Sequence, residues 1–365
     1  MKNDCWTTFD MPTPARSRID NHRIALTRFT MRRQVRFALA FAATIMTAAV
    51  ASPALAGNIY MAKAGADTND GSSEAKAVAT LATAARIAEA RSTASGEAMT
   101  ILVGPGIYRN QTLQLTGDMT APLTIAGTSS DKMAYPAFYG SGTGTWLRYA
   151  GHSGRSSGLT VRNLRIVGYA TAISLDGNRN AANGYNSGTS IVDNIFVRIG
   201  TDATKGNGKS TAAIRFVNSR GNTVQGNWFK TIRNTPVSGC GLLHSVYVAH
   251  ASSSNRITGN TFEDFCGSAI KLRDRSNDNV IENNRFQKSD ADAAIDEWYC
   301  DQSRNAECTK KTGECPSTGN IARNNRFVDI PYWRQITIRG NRTPRPWCDS
   351  ADFTAPRVSG SDVTL

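Results

Sequence analysis

The side chains with the most chemical promise are Arg215, Tyr247, Lys271, Arg273, Asp296 and Trp298, which fall at equivalent places in a series of short strings. These strings are Ala172-Ile-Ser-Leu, Ala213-Ile-Arg-Phe, Ser245-Val-Tyr-Val, Ala269-Ile-Lys-Leu, Ala294-Ile-Asp-Glu and Gln335-Ile-Thr-Ile. With the Ile or Val turned inward, a first outward column reads Ser174, Arg215, Tyr247, Lys271, Asp296, Thr337. A second reads Asp176, Val217, Ala249, Arg273, Trp298, Arg339, and His250 stands at its edge. Arg and Lys in such a strip bind carboxylate or sulfate groups, while Tyr247 and Trp298 offer faces against which a sugar ring can lie. Asp296, Glu297 and Asp274 supply carboxylate oxygens of the kind that hold Ca²⁺. The competing reading is a solvated sheet face that carries no site.

Strands must position these residues. Period-two alternation over a few residues, bounded by Gly, Asn and Ser, is strand chemistry. A second string recurs between the first ones: Asn222-Thr-Val-Gln-Gly-Asn227-Trp-Phe229, Asn255-Arg-Ile-Thr-Gly-Asn260-Thr-Phe262, Asn279-Val-Ile-Glu-Asn-Asn284-Arg-Phe286 and Asn320-Ile-Ala-Arg-Asn-Asn325-Arg-Phe327, with a looser copy ending at Phe196. The phenylalanines are 33, 33, 24 and 41 residues apart, which reads as a coil of about 24 residues with loops inserted in some turns, a solenoid. Each coil offers at least two short strands. The asparagine before each aromatic suits a tight turn, since Asn tolerates left-handed backbone. Stacked coil on coil, these asparagines form a ladder and the phenylalanines an inward stack.

The chain has 365 residues, 40% of them hydrophobic and 19% charged, with a formal charge of +13. Intrinsic disorder is excluded by the apolar material spread along its length, and a multi-span membrane protein by the presence of one long apolar stretch only. That stretch reads as an export signal: Arg32, Arg33 and Arg36, an apolar run from Phe37 to Val50, then Ser52-Pro-Ala-Leu-Ala56 ending in a small-x-small cleavage pattern. Residues 1–30 read as a disordered upstream extension with Met31 as the start, 31–56 as the signal peptide and 57–365 as the domain. An uncleaved anchor is the alternative. Cleavage after Ala56 leaves 309 residues, a charge of +8 and six cysteines, Cys240, Cys266, Cys300, Cys308, Cys315 and Cys348. An even count in an exported chain points to disulfides. Cys240 and Cys266 lie about one coil apart and bridge adjacent coils; the other four allow three pairings. A zinc site is disfavoured, because no pair has the C-x₂-C spacing and three histidines remain.

On these strings the chain resembles the right-handed parallel β-helix proteins of the pectate-lyase-like superfamily, across nearly all of residues 57–365. The opening from Asn58 looks like their first strand and loop, Thr80–Ala90 like the amphipathic helix that caps the solenoid, and Ile101–Tyr108 like the entry to the first coil. The resemblance implies an all-β, single-domain fold with disulfide-bearing loops. It also implies a secreted or periplasmic protein acting on an acidic, uronic-acid-containing polysaccharide by β-elimination. Lys271 is then the candidate base, because its cationic neighbours Arg215 and Arg273 would make the ammonium easier to deprotonate. Arg273 or Arg215 would clamp the carboxylate, with Tyr247 as a further catalytic candidate. Trp298, His250 and Arg339 would bind substrate, and Asp296, Glu297 and Asp274 a Ca²⁺. Glu297 falls where other coils point inward, so it is a buried acid that needs a partner or a sign of distortion. The insertion from Cys300 to Cys315 looks like a loop that walls a groove. The chain lacks the Asp-Asp pair of the polygalacturonase-type hydrolases. A non-catalytic glycan-binding or adhesive β-helix is the alternative. Nucleic acid is not an expected partner, no membrane span remains after cleavage, and a monomer is expected.

Overall fold

The computed structural model describes residues 57–291, 293–300, 313–338, 347–348, 357–359 and 362–364. The chain separates into two units, Met1–Ala51 and Ser52–Leu365, and the described residues all belong to the second. The expected export signal, Arg339 and Cys308 lie outside them. No described helix is long and apolar enough to cross a membrane.

Each coil crosses three sheets, one more strand than the strings by themselves required. The first, of eleven strands, opens with Gly57–Met61 and includes Ser190–Val192, Thr223–Gln225, Arg256–Thr258, Val280–Glu282 and Ile321–Arg323. The second, of eight, includes Ile195–Ile199, Trp228–Ile232, Thr261–Phe265, Arg285–Ser289 and Arg326–Val328. The third, also of eight, includes Thr171–Asp176, Ala212–Val217, His244–Ala249, Ile270–Arg273, Ile295–Glu297 and Ile336–Ile338. Neighbouring strands are parallel, except where Arg357–Ser359 and Asp362–Thr364 close the first sheet antiparallel. The result is a right-handed parallel β-helix.

The extra strand comes from dividing the Asn-to-Phe string. Thr223–Gln225 belongs to the first sheet and Trp228–Ile232 to the second, with Gly226-Asn227 turning the corner between them. The left-handed residue of that turn is the one before the ladder asparagine: Asp193, Gly226, Gly259, Asn283 and Asn324, with φ between 52° and 65°. These residue types visit that region most readily. The pre-aromatic asparagine itself points inward and carries the ladder. Asn194, Asn227, Asn260 and Asn284 each donate to the Oδ1 of the next ladder residue from both the backbone N–H and Nδ2, at 2.9–3.1 Å. Their Nδ2 groups also donate to first-sheet carbonyls. Asn222, Asn255, Asn279 and Asn320 form a second ladder. A turn of backbone inside a solenoid would otherwise bury unpaired groups at about 1–3 kcal/mol each.

Phe196, Phe229, Phe262, Phe286 and Phe327 stack with ring centroids 4.8–5.1 Å apart and planes within 21°. From the third sheet Ile173, Ile214, Val246, Ile270 and Ile295 fill the same core and are fully buried. Each contributes roughly 1.5–3 kcal/mol by burial. The capping helix runs Leu81–Ser95, longer than expected, because no breaker precedes Gly96, which ends it with φ 71°. Thr80 caps its start by accepting the Thr83 N–H. Two disulfides have both partners among the described residues, Cys240–Cys266 between adjacent coils and Cys315–Cys348. Cys300 is also disulfide-bonded.

Candidate functional site

The outer face of the third sheet carries the columns read from the strings. Arg148 pairs with Ser174, Ser174 with Arg215, Arg215 with Tyr247, Tyr247 with Lys271, Lys271 with Asp296, and Asp296 with Thr337. One column over, Asp176, Val217, Ala249 and Arg273 are in register, and the Trp298 N–H donates to the Leu272 carbonyl. Rungs of a sheet lie about 4.8 Å apart, so long side chains on successive rungs meet.

They meet as ion pairs. Lys271 Nζ bonds Asp296 Oδ2, with both side chains largely shielded (12% and 3% exposed), and Thr337 donates to Asp296 Oδ1 at 2.6 Å. Arg273 grips Glu314 with two bonds, Nε to Oε2 at 2.8 Å and Nη2 to Oε1 at 2.7 Å, and its Nη1 donates to the Tyr247 hydroxyl at 3.1 Å. Glu314 also accepts the Cys300 N–H at 2.7 Å. Arg148 and Arg215 converge on Asp176 at 2.6 and 2.8 Å. Burial works against ionisation of Asp176, yet the Arg148 bond and the Arg215 charge hold its carboxyl below the usual range. The Trp298 ring lies under both cations, 5.1 Å from Lys271 Nζ and 4.6 Å from Arg273 Cζ.

These contacts correct three expectations. Lys271 does not stand among bare cations, because Arg215 turns to Asp176, Arg273 to Glu314, and Lys271 itself bonds Asp296. Arg273 and Arg215 do not present free guanidinium forks to a substrate carboxylate, since Glu314 fills that of Arg273 and Arg215 gives Nε to the Ser174 hydroxyl and Nη2 to Asp176. Asp296, Glu297 and Asp274 do not form a Ca²⁺ site. Asp296 faces outward to Lys271 and Thr337. Glu297 faces the core, fully buried, and accepts the Ser317 N–H at 2.8 Å. Asp274 takes His250, Arg275 and the Cys315 N–H.

Three residues with proton chemistry border the strip. Tyr247 is pushed above the usual tyrosine value by burial, against the opposing pull of Arg273. His250 directs Nδ1 to Asp274 Oδ2 at 2.9 Å, which makes that nitrogen the protonated one when the ring is neutral and leaves Nε2 as the acceptor. His244 stacks on Tyr247 with centroids 5.6 Å apart. Its Nδ1 faces the Ser268 carbonyl at 3.1 Å. Burial, reinforced by the Lys271 charge, pulls the His244 imidazole down to about 3. Sequence reasoning left out His244, Glu314 and Asp176 as a partner of cations. A signal for Glu314 existed: the 41-residue offset from Asn279 to Asn320, carried back to Arg273, lands on it.

Among the described residues one group of metal-ligating side chains converges, His250, Asp274 and Glu314, with one ligand atom of each within 4.8 Å of the others. Both carboxylates are already ion-paired, Asp274 to Arg275 and Glu314 to Arg273. A cation entering there would face those guanidinium groups and lose the carboxylate charge they consume.

A solved alginate lyase from Paenibacillus sp. str. FPU-7 is similar to this chain at 17% identity, covering 70% of this chain and 83% of its own, with a TM-score of 0.47. A PL6-family alginate lyase is similar at 15% identity over 68% of this chain and 39% of its own, TM-score 0.32. The Dettilon tailspike protein is similar at 12%, over 68% of this chain and 59% of its own, TM-score 0.27. No curated protein matches the chain. Residues 126–310, just over half of the chain, match the family model described as NosD, periplasmic copper-binding protein. With its parallel three-sheet coils, the chain therefore belongs to the NosD family of right-handed parallel β-helix proteins.

Proposed function

We propose that the chain is an exported protein that binds an acidic, uronic-acid-containing polysaccharide on its third sheet and cleaves it by β-elimination. The observation that supports this reading is the register that sets Tyr247, Lys271, Arg273 and Trp298 on neighbouring rungs of one face. In the elimination a base removes the proton beside the uronate carboxylate. The electron pair forms a carbon–carbon double bond, the bond to the glycosidic oxygen breaks, and that oxygen takes a proton from an acid. Lys271, oriented by Asp296, still has N–H donors to share and hydrogen-bonds the substrate carboxylate. Tyr247, which burial keeps protonated, suits the acid, and His250 Nε2, with the ring oriented by Asp274, suits the base. Trp298 lies against a sugar ring.

Incubation with alginate, pectate and glycosaminoglycans tests this. Unsaturated, ultraviolet-absorbing products are expected, and Lys271→Ala and Tyr247→Phe should abolish them. Absence of such products across the panel, with the fold intact, overturns the elimination.

A second reading, non-catalytic glycan binding, is favoured by the fact that Arg148, Arg215, Lys271 and Arg273 already face protein carboxylates. Its mark is saturable binding without depolymerisation, lost in Trp298→Ala. Copper, named in the family description, does not fit the described donors: the His250, Asp274 and Glu314 group spends its carboxylates on arginines. The disulfides support an oxidising compartment.

A further inference from the structure

Beyond the paired cations of the strip, the last rung presents a cation of a different kind. Tyr332 and Trp333 are adjacent in sequence and 82% and 65% exposed, in a short 3₁₀ turn, Tyr332–Arg334, that follows Pro331. Single exposed aromatics are ordinary, but two together mark a contact surface. The turn is anchored to the sheet: the Ala294 N–H donates to the Arg334 carbonyl at 2.8 Å and the Ile295 N–H to the Gln335 carbonyl at 3.0 Å. Arg334 lies over Trp333, its Cζ 4.4 Å from the ring centroid. Among the described residues Arg334 has no carboxylate partner, and its Nε is shielded from water without a hydrogen bond. A guanidinium that no described carboxylate neutralises offers its remaining N–H groups to an anion.

We propose that Tyr332, Trp333 and Arg334 form an outer subsite for a uronate residue of the polysaccharide, with the aromatic pair against the sugar ring and Arg334 on its carboxylate. The inference rests on the glycan-binding reading above. The turn leads directly into the strand that carries Thr337, which bonds Asp296, so the subsite adjoins the end of the strip's last rung. At about 2.0 Å per residue through the turn and about 3.3 Å in the strand, Trp333 lies roughly 10 Å along the chain from Thr337, and farther from the Trp298 end of the strip. A ligand that spans both places must be an oligomer, so this subsite selects for chain length.

The test is binding of size-defined oligomers of alginate, pectate and heparan sulfate, from dimers to octamers, to wild type and to Trp333→Ala, Tyr332→Ala and Arg334→Gln. Wild type should bind octamers more tightly than dimers. Each variant should lose about tenfold in octamer affinity, the scale of an aromatic or charge-assisted contact, with dimer affinity unchanged. Because these side chains are exposed or at the turn, thermal midpoints should stay at the wild-type value, which separates lost binding from lost fold. Length-independent binding by wild type, or unchanged octamer affinity in all three variants, overturns the subsite while leaving the glycan reading intact. Failure of wild type to bind any oligomer overturns both.

Discussion

His244 makes acid stability a quantitative test of the geometry around the strip. Its ring is buried between Tyr247 and the Ser268 carbonyl, with Lys271 nearby, and titrates at about 3 in the folded chain against an ordinary value of 6.5. The folded value is depressed, so between these limits the unfolded chain binds a proton that the folded chain refuses. Stability is therefore complete above the unfolded value and is lost as pH falls through that window. At 1.36 kcal/mol per unit, lowering the pH from 7.5 to 5 removes about 2 kcal/mol through this one group, or roughly 4–8 °C in Tm for a chain of a few hundred residues. Other groups titrate too, so the informative comparison is with His244→Asn, whose amide can keep the bond to Ser268 but takes no proton. Urea or thermal midpoints of both proteins at the two pH values give the result. Wild type should lose about 2 kcal/mol more than the variant. Equal losses in the two would refute the buried, neutral imidazole.

The ladder and the disulfide make two further expectations. Asn260→Ala strips partners from the Asn227 amide groups, the Val224 carbonyl and Asn284 Oδ1, and should cost about 3–5 kcal/mol in urea unfolding, whereas the same change at exposed Asn180 should be far milder. Replacing Cys240 and Cys266 by alanine opens a link across 26 residues and should lower stability by about 3 kcal/mol, measured by the same unfolding; a reductant, which also opens Cys315–Cys348, should lower it further.

The repeat was legible because a solenoid repeats its environment. Every inward Phe and ladder Asn meets a copy of itself one coil on, so the same residue type is selected at each turn, and the string shows it. The outward columns followed from period-two alternation once one inward residue was set. The third strand per coil was hidden, because the corner at Gly226-Asn227 is two residues wide and interrupts no obvious pattern. Handedness at the corner was assigned one residue late, since both positions hold residues that tolerate positive φ.

The charges were legible as positions and illegible as partners. Sequence alone determined the β-helix, the coil length, the columns that carry Arg215, Tyr247, Lys271 and Arg273, and the one-coil spacing of Cys240 and Cys266, all consequences of local alternation and a regular repeat. Only the tertiary structure decided that Arg273 is gripped by Glu314, that Lys271 pairs with Asp296, that Asp176 draws both Arg148 and Arg215, and that Arg334 has no carboxylate partner among the described residues. The reason is distance: an ion pair forms over a few ångströms between rungs 25 to 41 residues apart, and which carboxylate wins depends on side-chain reach and burial rather than on any period of the sequence.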